Sequence, residues 1–324
     1  VPPESLPSSG TISPTDSTVK TPSPARPAIK TSTFLKRTFS WILLWIVALW
    51  FVSSGWDTGC LLLIAFFGLA GQWEFYHAQE EKGHKVFKQS GLVCGALIFF
   101  NSWYFLIHDA EKMRLVHFGG ELVLVFALLG ALIRLVVVPE THKAPITTAA
   151  LTLLGLMYVP FLFNFVALLA FLPGAPGVTD PHEQNRFLLI YLLAVTKFSD
   201  VGAYVVGSLI GRHKMIPRIS PGKTWEGFAG AILTSLVISV LMTKFMGAHV
   251  QAIDFTDSIV LGLLLPLVSV VGDLAESVVK RDASIKDSGH SIPGIGGALD
   301  LIDSILFTAP VLYFYLQFTA APVP

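Results

Sequence analysis

The sequence predicts an all-α polytopic transmembrane helix bundle of about nine spans, with a polar cavity facing the cytoplasm. Three observations predict it. Hydrophobic residues make up 53% of the 324 residues and charged residues only 14%, whereas soluble domains carry nearer a quarter charged. Mean hydropathy is +0.66. From Phe34 onward, apolar stretches recur between short polar loops, and roughly 20 helical residues, each rising about 1.5 Å, cross the hydrocarbon of a bilayer. A soluble core has no room for this much apolar surface.

The elements follow in order. Residues 1–33 are rich in Pro, Ser and Thr and almost devoid of large apolar side chains. Such a segment buries too little surface to fold, so it reads as a disordered tail, and it lacks the basic-then-apolar pattern of a signal peptide. Spans are expected near 38–54, 59–77, 90–107, 117–138, 148–172, 186–210, 227–246, 255–279 and 302–320. The Gly55-Trp56-Asp57-Thr58-Gly59 turn separates the first two. Pro160 and Pro266 fall inside spans, where membrane helices tolerate them. Cys60 and Cys94 lie in apolar runs and read as small core residues, not as a disulfide or zinc pair.

Loop charge sets the orientation. With the tail inside, the inner loops carry Lys36 and Arg37, then Lys82, Lys85 and Lys88, then Lys143, then Arg212, Lys214, Arg218 and Lys223, and finally Lys280, Arg281 and Lys286. The outer loops keep Lys112, Arg114 and Arg186, with Lys244 near a span end. This bias follows the positive-inside rule and fits an odd number of spans. Net charge is +0, so no global field attracts nucleic acid, and anion binding must come from local clusters.

Three polar constellations interrupt the hydrocarbon. Lys197-Phe-Ser-Asp-Val-Gly-Ala-Tyr204 lies within the sixth span. An ionised, unpartnered Asp200 there would cost several kcal/mol; it either pairs with Lys197 one turn away or contacts a metal or substrate. Gly202 and Gly207 leave room for a close neighbouring helix. The second is Ser220-Pro-Gly-Lys-Thr-Trp-Glu226, a loop running into a helix. Backbone N–H groups at a helix start hold phosphate oxygens, and Lys223, Ser220 and Thr224 add a charge and two hydroxyls. The spacing is not that of a P-loop. A plain basic loop obeying the inside rule is the alternative.

The third constellation runs from Gly272 to Asp303. Asp273, Glu276 and Lys280 share one helix face, and Asp300 and Asp303 repeat the i, i+3 spacing at the start of the last span. Carboxylates near a helix start are favoured by its dipole alone. On adjacent helices they also make a hard, oxygen-lined cation site that leaves positions for substrate phosphates. Pro293-Gly-Ile-Gly-Gly297 lets backbone approach a ligand. Glu74, His77 and Glu121 are expected to cap or pair locally, and the nine His show no catalytic spacing, though His290 falls in this loop. A nucleophile elbow is absent.

These residues resemble the signature of the phosphatidate cytidylyltransferases. The matching positions are Ser277, Lys280, Arg281, Lys286, Asp287, Pro293, Gly296, Gly297, Asp300 and Asp303. The upstream Asp200-Val-Gly-Ala-Tyr204 and Ser220 to Gly227 runs also look like the family, and the resemblance covers roughly 186–305. Ile295 and Leu301 stand where the family usually has His and Arg, and Ala298 where it has a larger aliphatic residue. Hydropathy alone gives N-terminal transmembrane helices over 34–185, and the resemblance implies a catalytic transmembrane region over 186–324. It implies a Mg²⁺-dependent nucleotidyltransferase of phospholipid biosynthesis that joins CTP to phosphatidic acid, giving CDP-diacylglycerol and pyrophosphate. The catalytic set would be Asp273, Lys280, Arg281, Asp300 and Asp303. The metal set would be Asp200, Asp273, Asp300 and Asp303, with a second cation left open. Ser220, Lys223, Thr224, Glu226, Lys286 and Asp287 would bind or position substrate, with Glu276 as a further positioning group. The setting would be a bacterial cytoplasmic membrane with the site facing inward, among membrane lipids and with a homodimer left open. The rival readings are a CTP-dependent polyprenol or lipid-alcohol kinase and an ion-coupled transporter.

Overall fold

The computed structural model describes residues 43–108, 113–137, 144–173, 180–247, 252–283, 289 and 296–319. The tail at 1–33, together with Lys286, Asp287, His290, Pro293 and Ile295, lies outside the described residues. A short apolar helix, α1 (Leu43–Ser53), precedes α2 (Asp57–Glu81), α3 (Lys88–His108) and α4 (Met113–Val137). Next come α5 (Pro145–Leu156), a π-helical turn (Met157–Phe161), α6 (Leu162–Ala170) and α7 (Pro181–Ile210). A β-hairpin of β1 (Lys214–Ile216) and β2 (Ser220–Thr224) leads to α8 (Trp225–Met246), α9 (Phe255–Asp282) and α10 (Ala298–Thr319).

Eight helical segments among the described residues are long and apolar enough to cross a membrane, with α5, the π turn and α6 forming one of them. They match the second to ninth expected spans. Of the first, expected over 38–54, the 11 residues of α1 are described, and 38–42 lie outside the described residues. Pro160 sits inside the π turn. Its ring nitrogen has no hydrogen to donate, and widening the helix locally accommodates the missing bond. The all-α expectation holds apart from the hairpin, where a plain loop was expected. Ser220–Thr224 is instead a strand, antiparallel to β1 with Lys214 opposite Thr224 and Ile216 opposite Ser220.

The starts of the long helices are capped as their residues dictate. Asp180 accepts from the amides of His182 and Glu183 at the head of α7. Thr224 accepts from Gly227 at the head of α8, and Asp254 and Asp257 form a capping box on α9. Side-chain bonds then tie helices together in surroundings where the hydrophobic effect does not. The Tyr76 hydroxyl donates to the Thr152 carbonyl at 2.7 Å, and Ser239 links Tyr191 of α7 to the Ser258 carbonyl of α9.

α10 is the hub, packed on α2, α6, α7 and α9 with most of its side chains buried. α4 is peripheral: Phe118, Phe126 and Val136 are exposed on it, as expected of a face turned to lipid tails. The expected neighbour for the small residues of α7 is α8. A Cβ on Gly202 would meet the Gly230 carbonyl at 2.7 Å, and one on Gly230 would meet the Gly202 carbonyl at 2.8 Å. α9 and α10 touch in the same way, because a Cβ on Gly272 would lie 2.8 Å from the Asp303 carbonyl oxygen.

One end of the bundle gathers the polar loops. Lys82, just past α2, pairs with Asp282 at the end of α9 at 2.7 Å. Arg281 Nε donates to the Ile219 carbonyl of the hairpin at 3.2 Å. The start of α10 reaches the same end through Glu74 of α2. Gly272→Ala is expected to destabilise the protein by about 1–3 kcal/mol through overpacking, read as a lower unfolding temperature in detergent; an unchanged temperature would mean that α9 and α10 do not touch there.

Candidate active site

Asp200 lies about 15 Å from the end of α7 at 1.5 Å per residue, and Asp273 sits in the last third of α9. Asp303 and Ser304 lie just over one turn into α10. These four side chains converge. Ser304 Oγ lies 2.7 Å from Asp273 Oδ1, 3.1 Å from Asp303 Oδ1 and 3.4 Å from Asp200 Oδ2. Asp200 further accepts from Ser269 of α9 at 3.3 Å. Gly272 is the reason the cluster exists, since a side chain there would hold α10, and with it Asp303 and Ser304, away from Asp273.

Gathering carboxylates in a medium of low dielectric is unfavourable without counter-charge. Two lysines supply it. Lys197 reaches Asp200 at 3.5 Å and donates to the Leu301 carbonyl at 3.0 Å. Lys223, projecting from β2, pairs with Asp273 at 2.8 Å, both side chains about a quarter exposed. The structural reading of Lys197–Asp200 as a helical-spacing pair is therefore correct as far as it goes, but Asp200 also belongs to a three-helix cluster.

A second charged group lies one turn toward the end of the bundle. Lys280 is 2.7 Å from both Glu276 and Asp300, and Asp300 also accepts from the Gly297 amide at 3.2 Å. The structure thus divides the expected carboxylates. Asp200, Asp273 and Asp303 meet at Ser304, while Asp300 joins Glu276 and Lys280. Among the described residues, no three His, Cys, Asp or Glu side chains are already arranged as a metal cage. The donor chemistry of the Ser304 cluster nonetheless fits a hard divalent cation: three carboxylates from three helices meet at one hydroxyl.

The hairpin covers this cluster. Ser220, Gly222, Lys223 and Thr224 face Asp200, Tyr204 and Asp273 across a cavity of about 970 Å³, measured with its open mouth. Thr224 and Glu226, expected among the substrate contacts, are engaged in building the hairpin. Thr224 Oγ1 caps α8 by accepting from Gly227 at 3.1 Å. The Glu226 carboxylate accepts from the amides of Arg212 and His213 and meets His213 Nδ1 at 2.6 Å. Of the amides at the head of α8, Trp225 N–H donates to the His213 carbonyl. Arg281 holds the hairpin from α9, as described above.

Glu74 was not expected at this site. It is fully buried, and its carboxylate accepts from the amides of Ala298 and Leu299, each at 2.9 Å, across 224 residues of chain. It caps locally neither α2 nor its loop; it caps α10, two residues before Asp300. A buried acid one turn from the end of an apolar span was the available signal, but its partner is set by tertiary packing. His77, in contrast, pairs within its own helix, 3.4 Å from Glu81.

The chain matches the cytidylyltransferase family over residues 35–319, and it belongs to that family. The resemblance seen at Ser277 to Asp303 therefore extends over most of the chain. It is 31% identical over 279 residues to the phosphatidate cytidylyltransferase of Mycobacterium bovis, covering 85% of this chain and 84% of that protein. It is 38% identical over 161 residues to the phosphatidate cytidylyltransferase of Haemophilus influenzae, covering 48% of this chain and 56% of that one. An uncharacterized protein of Escherichia coli, YnbB, is 35% identical over 164 residues, 51% of this chain and 52% of that protein. In these last two the chain spans about half the relative's length.

Removing Glu74 tests the cap. Glu74→Ala leaves two buried amides without an acceptor, a cost of about 1–3 kcal/mol each. Both the unfolding temperature and turnover are expected to fall, with Glu74→Gln, which keeps one carbonyl acceptor, recovering part of each. Equal behaviour of the Ala variant and the parent protein would remove Glu74 from the support of α10.

Proposed function

We propose that the protein joins CTP to phosphatidic acid, forming CDP-diacylglycerol and releasing pyrophosphate. The observation that supports it most is the placing of a basic hairpin over a three-helix carboxylate cluster across one cavity, in a chain of this family. An oxygen of the lipid phosphate attacks the α-phosphorus of CTP. The bond from that phosphorus to the oxygen bridging to the β-phosphate breaks, and pyrophosphate carries away the electron pair. No covalent nucleophile is required.

The protein's task is to bring two anions together and to stabilise charge on the leaving group. Lys223 stands at the cavity wall for the triphosphate. Lys280 and Arg281 supply further positive charge beside it, and Lys286 and Asp287 keep the roles the resemblance gives them. Glu226, Thr224 and Arg281 hold the hairpin so that Lys223 and Ser220 face the cluster. Asp200, Asp273 and Asp303 would hold Mg²⁺, and Asp300, one turn away beside Lys280, would support it. When bound, the cation supplies Lewis-acid stabilisation of phosphate oxygens.

The site faces the cytoplasm of a bacterial inner membrane in this reading. Lys82, Lys85, Lys88, Arg212, Lys214, Arg218, Lys223, Lys280 and Arg281 belong to the helix ends and loops that meet at the hairpin end, which is the excess of basic residues expected inside.

Purified protein given CTP, Mg²⁺ and phosphatidic acid is expected to place label from the α-phosphate, but not the γ-phosphate, in lipid. Label from the γ-phosphate instead would identify a lipid kinase, and no lipid label at all would overturn both. Lys223→Ala is expected to lower kcat/KM for CTP by about 10²-fold; an unchanged CTP dependence would remove the hairpin from the site.

A further inference from the structure

We propose that an apolar pocket enclosed by α1, α2, α6, α7 and α10 seats one acyl chain of the lipid substrate. The inference rests on the cytidylyl-transfer reading and adds to it the place where the lipid's hydrocarbon lies. The pocket has about 750 Å³ of space, including the part open to its surroundings. Leu44 and Ala48 of α1, Leu63 of α2, Phe163 of α6, and Leu193 and Ile305 from α7 and α10 are among the side chains forming its wall. Lys197 is the one charged side chain in that wall.

Its position relative to the carboxylate cluster carries the argument. Leu189, Leu193 and Lys197 line the pocket, and with Asp200 they follow one stripe of α7 at i, i+4, i+8 and i+11. At 1.5 Å per residue the apolar part of this stripe, from Leu189 to Lys197, is about 12 Å long. At its upper end the ammonium of Lys197 lies 3.5 Å from Asp200, which lines the cavity beneath the hairpin. The two members of this ion pair thus stand on the walls of the two cavities, Lys197 on the apolar pocket and Asp200 on the cavity beneath the hairpin. A lipid anion has that same sequence of parts: charged phosphate, then hydrocarbon. The cation stands where one gives way to the other.

The pocket is also unlike the outer surface of the bundle. Its wall includes Phe163, Leu189 and Leu192, all of them buried, whereas lipids that merely surround the protein meet exposed side chains such as Phe126 and Val136 on α4. Apart from Lys197 its wall is apolar, which suits hydrocarbon better than water.

Two measurements test the assignment. Ala48→Trp, which fills the pocket from the peripheral helix α1, and Leu193→Trp are expected to lower the ratio of kcat/KM for dioleoyl over dihexanoyl phosphatidate by about tenfold. A ratio equal to that of the parent protein overturns the proposal. Phosphatidate carrying a diazirine on its acyl chain, photolysed with the unmodified protein, is expected to label α1, α6 or α7 at the pocket, and this readout does not depend on a variant folding. Labelling confined to Phe126, Val136 and their neighbours overturns it. So does equal labelling of the pocket by diazirine phosphatidylcholine, which would mark a site for any bilayer lipid. If the parent protein makes no CDP-lipid, the reaction reading fails and the labelling pattern alone decides the pocket.

Discussion

The contact of α9 with α10 at Gly272 is the constraint on which the site depends. It brings the Asp303 backbone within reach of α9 and so sets Asp273, Asp303 and Ser304 side by side. Like charges at that spacing repel strongly in a protein interior. The arrangement is sustained by cations from two other directions, Lys197 from α7 and Lys223 from the hairpin. Each lysine lies on an element whose own position is fixed by small-residue packing or by the Glu226 brace. The cluster is thus an agreement among four elements, and none of them holds it alone.

The bundle itself was legible in the sequence because hydropathy is a local property. Spans two to nine fall within a few residues of their expected positions, and the expectation that Gly202 admits a close helix is met by Gly230. The hairpin was not legible. Ser220-Pro-Gly-Lys-Thr reads as a turn because Pro and Gly punctuate it, and only pairing with Lys214–Ile216 makes it a strand. The carboxylates were found by their charge in an apolar context, but their grouping was not. Asp300 and Asp303 share an i, i+3 face, yet Asp300 turns to Lys280 and Asp303 to Ser304. Ser304, an ordinary serine in sequence, proves to be the point where three acids meet.

The hairpin gives this membrane protein a way to present charge without burying it. Its strands carry Lys214 and Lys223 at the bundle end and pair with each other, while Glu226 accepts from the amides of Arg212 and His213 and Arg281 donates to the Ile219 carbonyl. A helix in that place would have projected its side chains around its whole circumference. The two-stranded ribbon directs Lys223 toward Asp273 while leaving the cavity beside it open.

Glu74 turns the two halves of the chain into an interlocked pair. α10 begins with amides that need acceptors, and the acceptor comes from the second helix of the molecule. A fragment beginning at α7 would carry the recognisable motifs but leave the first two amides of its last helix without the Glu74 carboxylate that accepts from them. The support of the reaction centre is thus a contact between the last helix of the chain and one of its first.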